Sequence, residues 1–319
     1  MNIDVHAHHL PPACIDLRRE APSGGLAANE RDGMSDLARR VPDMAARQID
    51  VQLLSVAPGL AHPTAAEAAR INDAMASDIL PYPGKFVGLA TVPLEDPEEA
   101  ARELERCVKE LGFRGLEVLT NYQGENLDSP RYTPLFKKMA ELDVAALVHP
   151  SNVMGRRDRL RPHFMTNLIG NPTDTAVAAA SLIFGGVLRE MPSLKFVLSH
   201  GGGTCPTLAG RWEHAWTMGL VEDAAIDQPP SEYMKRFYFD SITHSDELLA
   251  SLIHTYGADR VMLGSDYPAG MGNFSPAEAV ARLDGLSGDD QQSIYGRNAA
   301  DAFGLEGMLV ADGGASSNA

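Results

Sequence analysis

The sequence predicts a (β/α)8 barrel, and three observations carry that prediction. Eight short apolar runs alternate with longer helical ones along the 319 residues. Several runs are apolar on both faces, as strands buried in a parallel sheet are. Histidine and aspartate stand at the carboxyl ends of four of them, the face on which a barrel assembles its chemistry. A doubly wound open sheet is the alternative for such a pattern, but it normally carries a glycine-rich turn after its first strand. Here the first strand ends in His-Ala-His-His-Leu-Pro-Pro, so a nucleotide-binding reading is poor.

The predicted strands are 2–6 (NIDVH), 50–56 (DVQLLSV), 86–92 (FVGLATV), 114–119 (RGLEVL), 143–148 (DVAALV), 194–199 (LKFVLS), 236–240 (RFYFD) and 260–265 (RVMLGS). Between them helical patterns cover 64–79, 97–111, 130–142, 174–190, 204–219, 246–256 and 289–303, with Pro97 at a favoured helix start. Two segments that follow strands are long, 9–38 and 150–172; in a barrel such loops lie on the catalytic face. No repeat or Gly/Ser-rich linker divides the chain, so one domain over 1–308 is expected, with a small polar tail, 309–319, frayed.

Composition narrows the function. With 44% hydrophobic and 22% charged residues, the chain is of the folded globular type. A formal charge of −16 argues against a nucleic-acid partner, which requires a basic footprint. It leaves room for a small anionic substrate, since a few arginines dominate the field inside a cleft. Cys14, Cys107 and Cys205 form neither a disulfide framework nor a thiolate zinc motif. Cys107 reads as helix packing and Cys205 as a residue near the site. No stretch reaches the length of a membrane span and no signal peptide is visible, so a cytoplasmic enzyme is expected.

Side chains alternate along a strand, so His6 and His8 face one way while Ala7 faces the other. His149 closes the fifth strand, His200 the sixth before Gly201-Gly202-Gly203, and Asp266 follows the eighth. Three imidazoles and one carboxylate, His6, His8, His149 and Asp266, make a donor set suited to one Zn2+ with room for a water. Singly, each has a plainer reading: a strand-end histidine is usually capped, and Asp266 before Tyr-Pro suits a turn. Five together at the ends of four strands argue for a metal site.

The motifs IDVHAHH, LVHPSNVMG, LSHGGG, LAGRWEHAW, PPSEYMKRFYFDS and GADRVMLGSDYP run in order through the chain. Together they resemble the amidohydrolase superfamily, in the branch of aminocarboxymuconate-semialdehyde decarboxylase. The resemblance implies that His6, His8, His149 and Asp266 hold one zinc ion. It makes His200 the acid/base residue, catalytic together with Asp266 but not a ligand. Binuclear relatives need a carboxylated lysine after strand 4; here that end reads Val118-Leu119-Thr120-Asn121, which favours one metal.

By the same resemblance, Arg211 reaches a substrate carboxylate in the neighbouring subunit of a homodimer or higher oligomer. A local ion pair with Glu213 or Asp223 is its alternative. Arg31 stands in the place of a second substrate arginine, His163 replaces an aromatic residue, and His244 is expected near the mouth. Asp240 reads as a buttressing carboxylate. His9, on the other strand face, and His62, His214 and His254 read as structural or surface residues, and Trp212 and Trp216 as a packing stripe. The 2-hydroxybenzoate-type decarboxylases usually carry Glu at the position of His6, which disfavours a resorcylate or salicylate substrate. The implied activity is zinc-dependent, non-oxidative decarboxylation of a small unsaturated or aromatic-derived carboxylic acid. A metal-dependent hydrolase of a lactone, ester or C–C bond is the alternative. An inert metal-binding scaffold would have no use for His200.

Overall fold

In the computed structural model, residues 1–17, 33–57, 60, 63–151, 153 and 157–308 are described. Apart from a short hairpin of Asn121–Tyr122 and Glu125–Asn126, eight strands follow one another: β1 Ile3–His9, β2 Val51–Val56, β3 Phe86–Gly88, β4 Gly115–Leu119, β5 Ala145–His149, β6 Lys195–Leu198, β7 Tyr238–Asp240 and β8 Val261–Met262. All are paired parallel, in one sheet of β1-β2-β3 and one of β4-β5-β6-β7-β8. Two seams join the sheets. Parallel bridges tie Ala90 to Leu116 and Ala7 to Tyr267, and Val5 N donates to Leu263 O at 2.9 Å across the second seam. The ring of eight is thereby closed. At the seams pairing continues through single bridges, so β3 and β8 are shorter than the predicted 86–92 and 260–265.

Both faces of these strands are covered, which is why their sequences are nearly continuously apolar. Inside the ring, Val51, Leu53, Val87, Leu89, Ala145, Leu147, Val197, Tyr238 and Met262 pack with Ile3 and Val5. Ala299, Phe303 and Leu305 close that interior. Outside it, Leu54, Leu116, Val118, Ala146, Val148, Leu198 and Phe239 pack against helix residues such as Met75, Leu104, Met139, Leu182 and Leu252.

One irregularity decides where the site forms. β1 pairs Ile3 with Val51 and Asp4 with Gln52, but then Ala7 with Leu54, so it carries one residue more than its partner. Such a bulge reverses which alternate residues face inward. Ile3 and Val5 belong to the interior, Ala7 joins the outer core, and His6 and His8 turn inward above them. Buried Asp4 secures the bulge, accepting from His6 N at 3.1 Å, Ser265 N at 3.0 Å and Gln52 Nε2 at 2.8 Å.

The helices between and after the strands include α1 Leu37–Ala46, α2 Ala65–Ile79, α3 Pro97–Lys109, α4 Thr133–Leu142, α5 Asn171–Phe184, α6 Cys205–Thr217, α7 Asp246–Tyr256 and α8 Asn298–Phe303. Local chemistry sets several starts. Thr64 and Glu67 form a reciprocal cap on α2, Asp96 and Pro97 open α3, and Ser245 caps α7. Among the helices, two departures from the sequence pattern have a clear local cause. α5 stops at Phe184 instead of running to 190, because Gly186 adopts φ +80° and a new short helix, Val187–Glu190, begins. α1 lies beyond the predicted elements, with Pro42 in its interior disguising it. Arg31, His62 and the 309–319 tail lie outside the described residues.

A candidate metal and acid–base site

His6 and His8 project from β1, His149 ends β5, and Asp266 follows β8. One ligand atom from each lies within 4.8 Å of all the others, and all four residues are buried. The far nitrogens of two rings are fixed. His6 Nδ1 meets Asp240 Oδ2 at 2.7 Å, and His8 Nδ1 meets Val56 O at 3.1 Å and Ser55 Oγ at 3.0 Å. Their Nε2 atoms are buried without a hydrogen bond among the described residues. Both face Asp266 Oδ1, at 3.5 Å and 3.0 Å. Unsatisfied buried nitrogens cost about 1–3 kcal/mol each, so two of them converging beside a carboxylate fit a divalent cation. Three nitrogen donors and one oxygen are a set that zinc and related ions accept.

Charge supports the same reading. Burial, then the neighbouring imidazoles of His8, His6 and His200, holds His149 well below its ordinary value, in its neutral, ligating form. Burial would raise the Asp266 carboxyl, but His200 and His8 outweigh it and keep it well below the usual carboxylate range. Asp240 behaves likewise: burial opposes its charge, and His6 and the backbone around His200 restore it. It accepts from His200 N at 2.9 Å, Gly201 N at 2.8 Å and Ile242 N at 3.0 Å, so one carboxylate orients a ligand ring and the turn carrying His200. Gly264 makes room for it; a Cβ there would lie 2.7 Å from that of Asp240 and 3.3 Å from that of His6.

His200 follows β6 in a left-handed conformation, φ +55°. Its Nε2 lies 3.6 Å from Asp266 Oδ2, and its ring stands 5.2 Å from that of His6 and 5.6 Å from that of His149. Burial would lower its pKa, but the charges of Asp266 and Asp240 raise it above the ordinary value. The glycines behind it are required. Gly201, Gly202 and Gly203 all have positive φ, and a Cβ on Gly203 would lie 2.2 Å from Pro172 O. Unlike the four ligand candidates, His200 lines a cavity of about 470 Å3. Leu168, Ile242, Leu252 and Met271 make much of its apolar wall, and Asn171 and His244 add polar groups.

The remaining predicted residues are dispersed. His244 joins His200 at the cavity, also with positive φ. His163 and Arg211 are exposed and do not line it. Arg211 forms no ion pair among the described residues; Glu213 instead accepts from Ser231 N at 3.2 Å. His9 is structural, bridging Met34 O at 2.7 Å and Asp78 Oδ2 at 2.9 Å. Trp212 and Trp216 pack half-buried against the core. Cys205 is buried at the start of α6, where burial pushes its thiol up, and it does not line the cavity. Besides the cavity wall and Ser55, one more site residue is absent from the sequence analysis. Glu117, on β4, is buried with Oε2 4.0 Å from His8 Nδ1.

The family model described as Amidohydrolase matches residues 3–305. The chain belongs to the amidohydrolase family. Among relatives of this amidohydrolase, a 2-amino-3-carboxymuconate-6-semialdehyde decarboxylase from Dictyostelium discoideum is 31% identical over 96% of this chain and 92% of its own length. A gamma-resorcylate decarboxylase from Rhodococcus jostii is 31% identical over 75% of this chain and 77% of its own. Among solved structures, a dihydroxybenzoic acid decarboxylase from Polaromonas with bound manganese and 2-nitroresorcinol superposes with a TM-score of 0.84 at 28% identity, covering 96% of this chain and 97% of that one. The 5-carboxyvanillate decarboxylase of Sphingomonas paucimobilis gives 0.84 at 26%, covering 95% and 98%. All four of these relatives are named as decarboxylases.

Proposed function

We propose that this amidohydrolase is a metal-dependent, non-oxidative decarboxylase of a small unsaturated or aromatic-derived carboxylic acid. One observation carries the reading: His200 stands beside the ligand cluster, against Asp266, and opens onto the cavity. A site that only stored a metal would have no use for such a residue. The names of the relatives support the reaction class. Bound here, a divalent ion supplies a Lewis acid and lowers the pKa of water in contact with it.

The chain's own residues supply the rest. His200 holds a proton at the cavity wall, stabilised there by the charge of Asp266. It delivers that proton to the carbon that loses its carboxylate. The C–C bond breaks, its electron pair takes the proton, and CO2 leaves, so no oxidant is consumed. Leu168, Ile242, Leu252 and Met271 exclude water around the substrate skeleton, and Asn171 and His244 offer it hydrogen bonds. Three imidazoles favour zinc as the resident ion, with manganese, seen in the Polaromonas relative, as the competitor.

Three free, buried cysteines agree with a reducing, cytoplasmic setting. Exposed Arg211, without a local ion pair among the described residues, agrees with a homo-oligomer in which it serves a neighbour's substrate. The test is a substrate panel. Metal-depleted protein is reloaded with zinc or manganese and offered 2-amino-3-carboxymuconate semialdehyde, hydroxybenzoic acids, lactones and esters. CO2 from one of the acids is expected. Acid release from a lactone or ester, with no CO2 from any acid, would replace this reading with a hydrolase.

A further inference from the structure

The two ligand candidates of β1 have their far nitrogens held differently. His6 Nδ1 meets a carboxylate, Asp240, directly at 2.7 Å. His8 Nδ1 meets the Val56 carbonyl and the Ser55 hydroxyl. A carbonyl only accepts, so His8 carries its proton on Nδ1 and keeps the Nε2 lone pair for the ligand point. Behind Ser55 lies Glu117. The Ser55 hydroxyl hydrogen-bonds to the Glu117 carboxylate, while Oε2 of that carboxylate stands 4.0 Å from His8 Nδ1. Ser55 is fully buried, Glu117 nearly so, and Oε2 makes no hydrogen bond among the described residues.

A carboxylate in such a place calls for explanation. The interior of the ring below it is apolar, Leu53, Leu89, Ala145 and Leu147 among its residues, and a buried carboxylate there is costly unless it is compensated. It is not itself placed as a ligand: it approaches His8 from the Nδ1 side, and the converging ligand atoms come from His6, His8, His149 and Asp266. What it faces is the protonated edge of a metal-facing ring, where a negative charge makes the opposite nitrogen a stronger donor. Asp240 has the same relation to His6 without an intermediary.

We propose that Glu117, acting through Ser55, is a positioning residue that fixes His8 in its metal-binding tautomer and strengthens the hold of the site on a divalent ion. The inference rests on the metal reading of the site and is independent of the substrate.

The full-length chain, stripped of metal, is titrated with zinc in competition with a chelator, as wild type, Glu117→Gln, Ser55→Ala and the double variant. Each single change is expected to weaken zinc binding by about 10–100-fold. The double variant is expected to bind within threefold of the weaker single, because the two residues act in series. Metal-free Glu117→Gln is expected to melt no lower than wild type, since the isosteric amide removes a buried charge. A merely structural Glu117 would show the opposite split, lower melting with unchanged zinc affinity. Zinc affinity within threefold of wild type in Glu117→Gln overturns the proposal, as does a double variant whose losses multiply. Should Glu117→Gln fail to fold, Ser55→Ala decides by the same threefold criterion. A wild-type chain that binds neither zinc nor manganese overturns the metal reading itself, and the inference with it.

Discussion

His200, His244 and Asp266 share a backbone conformation that few residues adopt, with φ of +55°, +54° and +56°. All three sit just past a strand, on β6, β7 and β8, and strain of this kind concentrates where side chains must be aimed. For His200 the aim is at Asp266 and the cavity, not at the ligand point. His200→Ala is therefore expected to retain its metal while losing turnover by about 100-fold or more. Metal content and single-turnover CO2 release measure the two effects separately, and loss of metal in that variant would make His200 a ligand. Residues of this kind were legible in the sequence because they punctuate strand ends. Glu117 was not: within RGLEVL nothing distinguishes an inward carboxylate from an outward one until the register of β4 is known.

At the scale of elements, the alternation of strand and helix was legible because period-2 and period-3.6 patterns are local. Exceptions arise where one residue overrules a pattern, as Gly186 does for α5 and as Pro42 does in concealing α1. Contacts between helices were not legible at all. Glu103 on α3 accepts from Asn72 of α2 at 2.7 Å and from Arg106 Nε at 2.9 Å, while Asn72 also holds the backbone of Thr91 after β3. Burial would raise the Glu103 carboxyl, but Arg106 and Asn72 bring it below the ordinary 4.5. A depressed carboxylate adds stability above its unfolded value, and that stability is lost as pH falls through the folded one. Glu103→Gln should thus cost about 1–3 kcal/mol near neutrality, a gap that closes on the acid side of 4.5. Urea unfolding on both sides of that value measures it, and a gap independent of pH would count against the charged clamp.

For the molecule as a whole, the barrel acts as a frame that brings β1, β5, β6 and β8 to one point, and an ion bound there ties distant parts of the chain together. Binding to the folded state alone adds about 2.7 kcal/mol when the ion is present at 100 times its Kd. The increment depends on pH with a definite sign. In the metal-free chain, burial lowers the His8 pKa, but Asp266 and Glu117 more than restore it, leaving it above 6.5. Protonated His8 cannot ligate, so stabilisation by metal is full at higher pH and fades as pH falls through that raised value. The metal-free chain shows the converse trend, since a raised histidine contributes stability on the acid side and loses it as pH rises. Thermal melting with and without zinc across this range should show the difference between the two curves widening with pH. A constant difference would detach the effect from imidazole ligation.

The sequence by itself determined the barrel class, the four residues around the metal point and His200, because these rest on local periodicity and on residue types at strand ends. It determined nothing of their phase. Only the tertiary structure decided that an extra residue in β1 turns His6 and His8 inward where Ile3 and Val5 had been, since a bulge exists only relative to a paired strand. The same holds for the carboxylates behind the ligands. Asp240 and Glu117 act on His6 and His8 across 234 and 109 residues of chain respectively, and proximity at such separations is created by closing the ring rather than by any pattern along it.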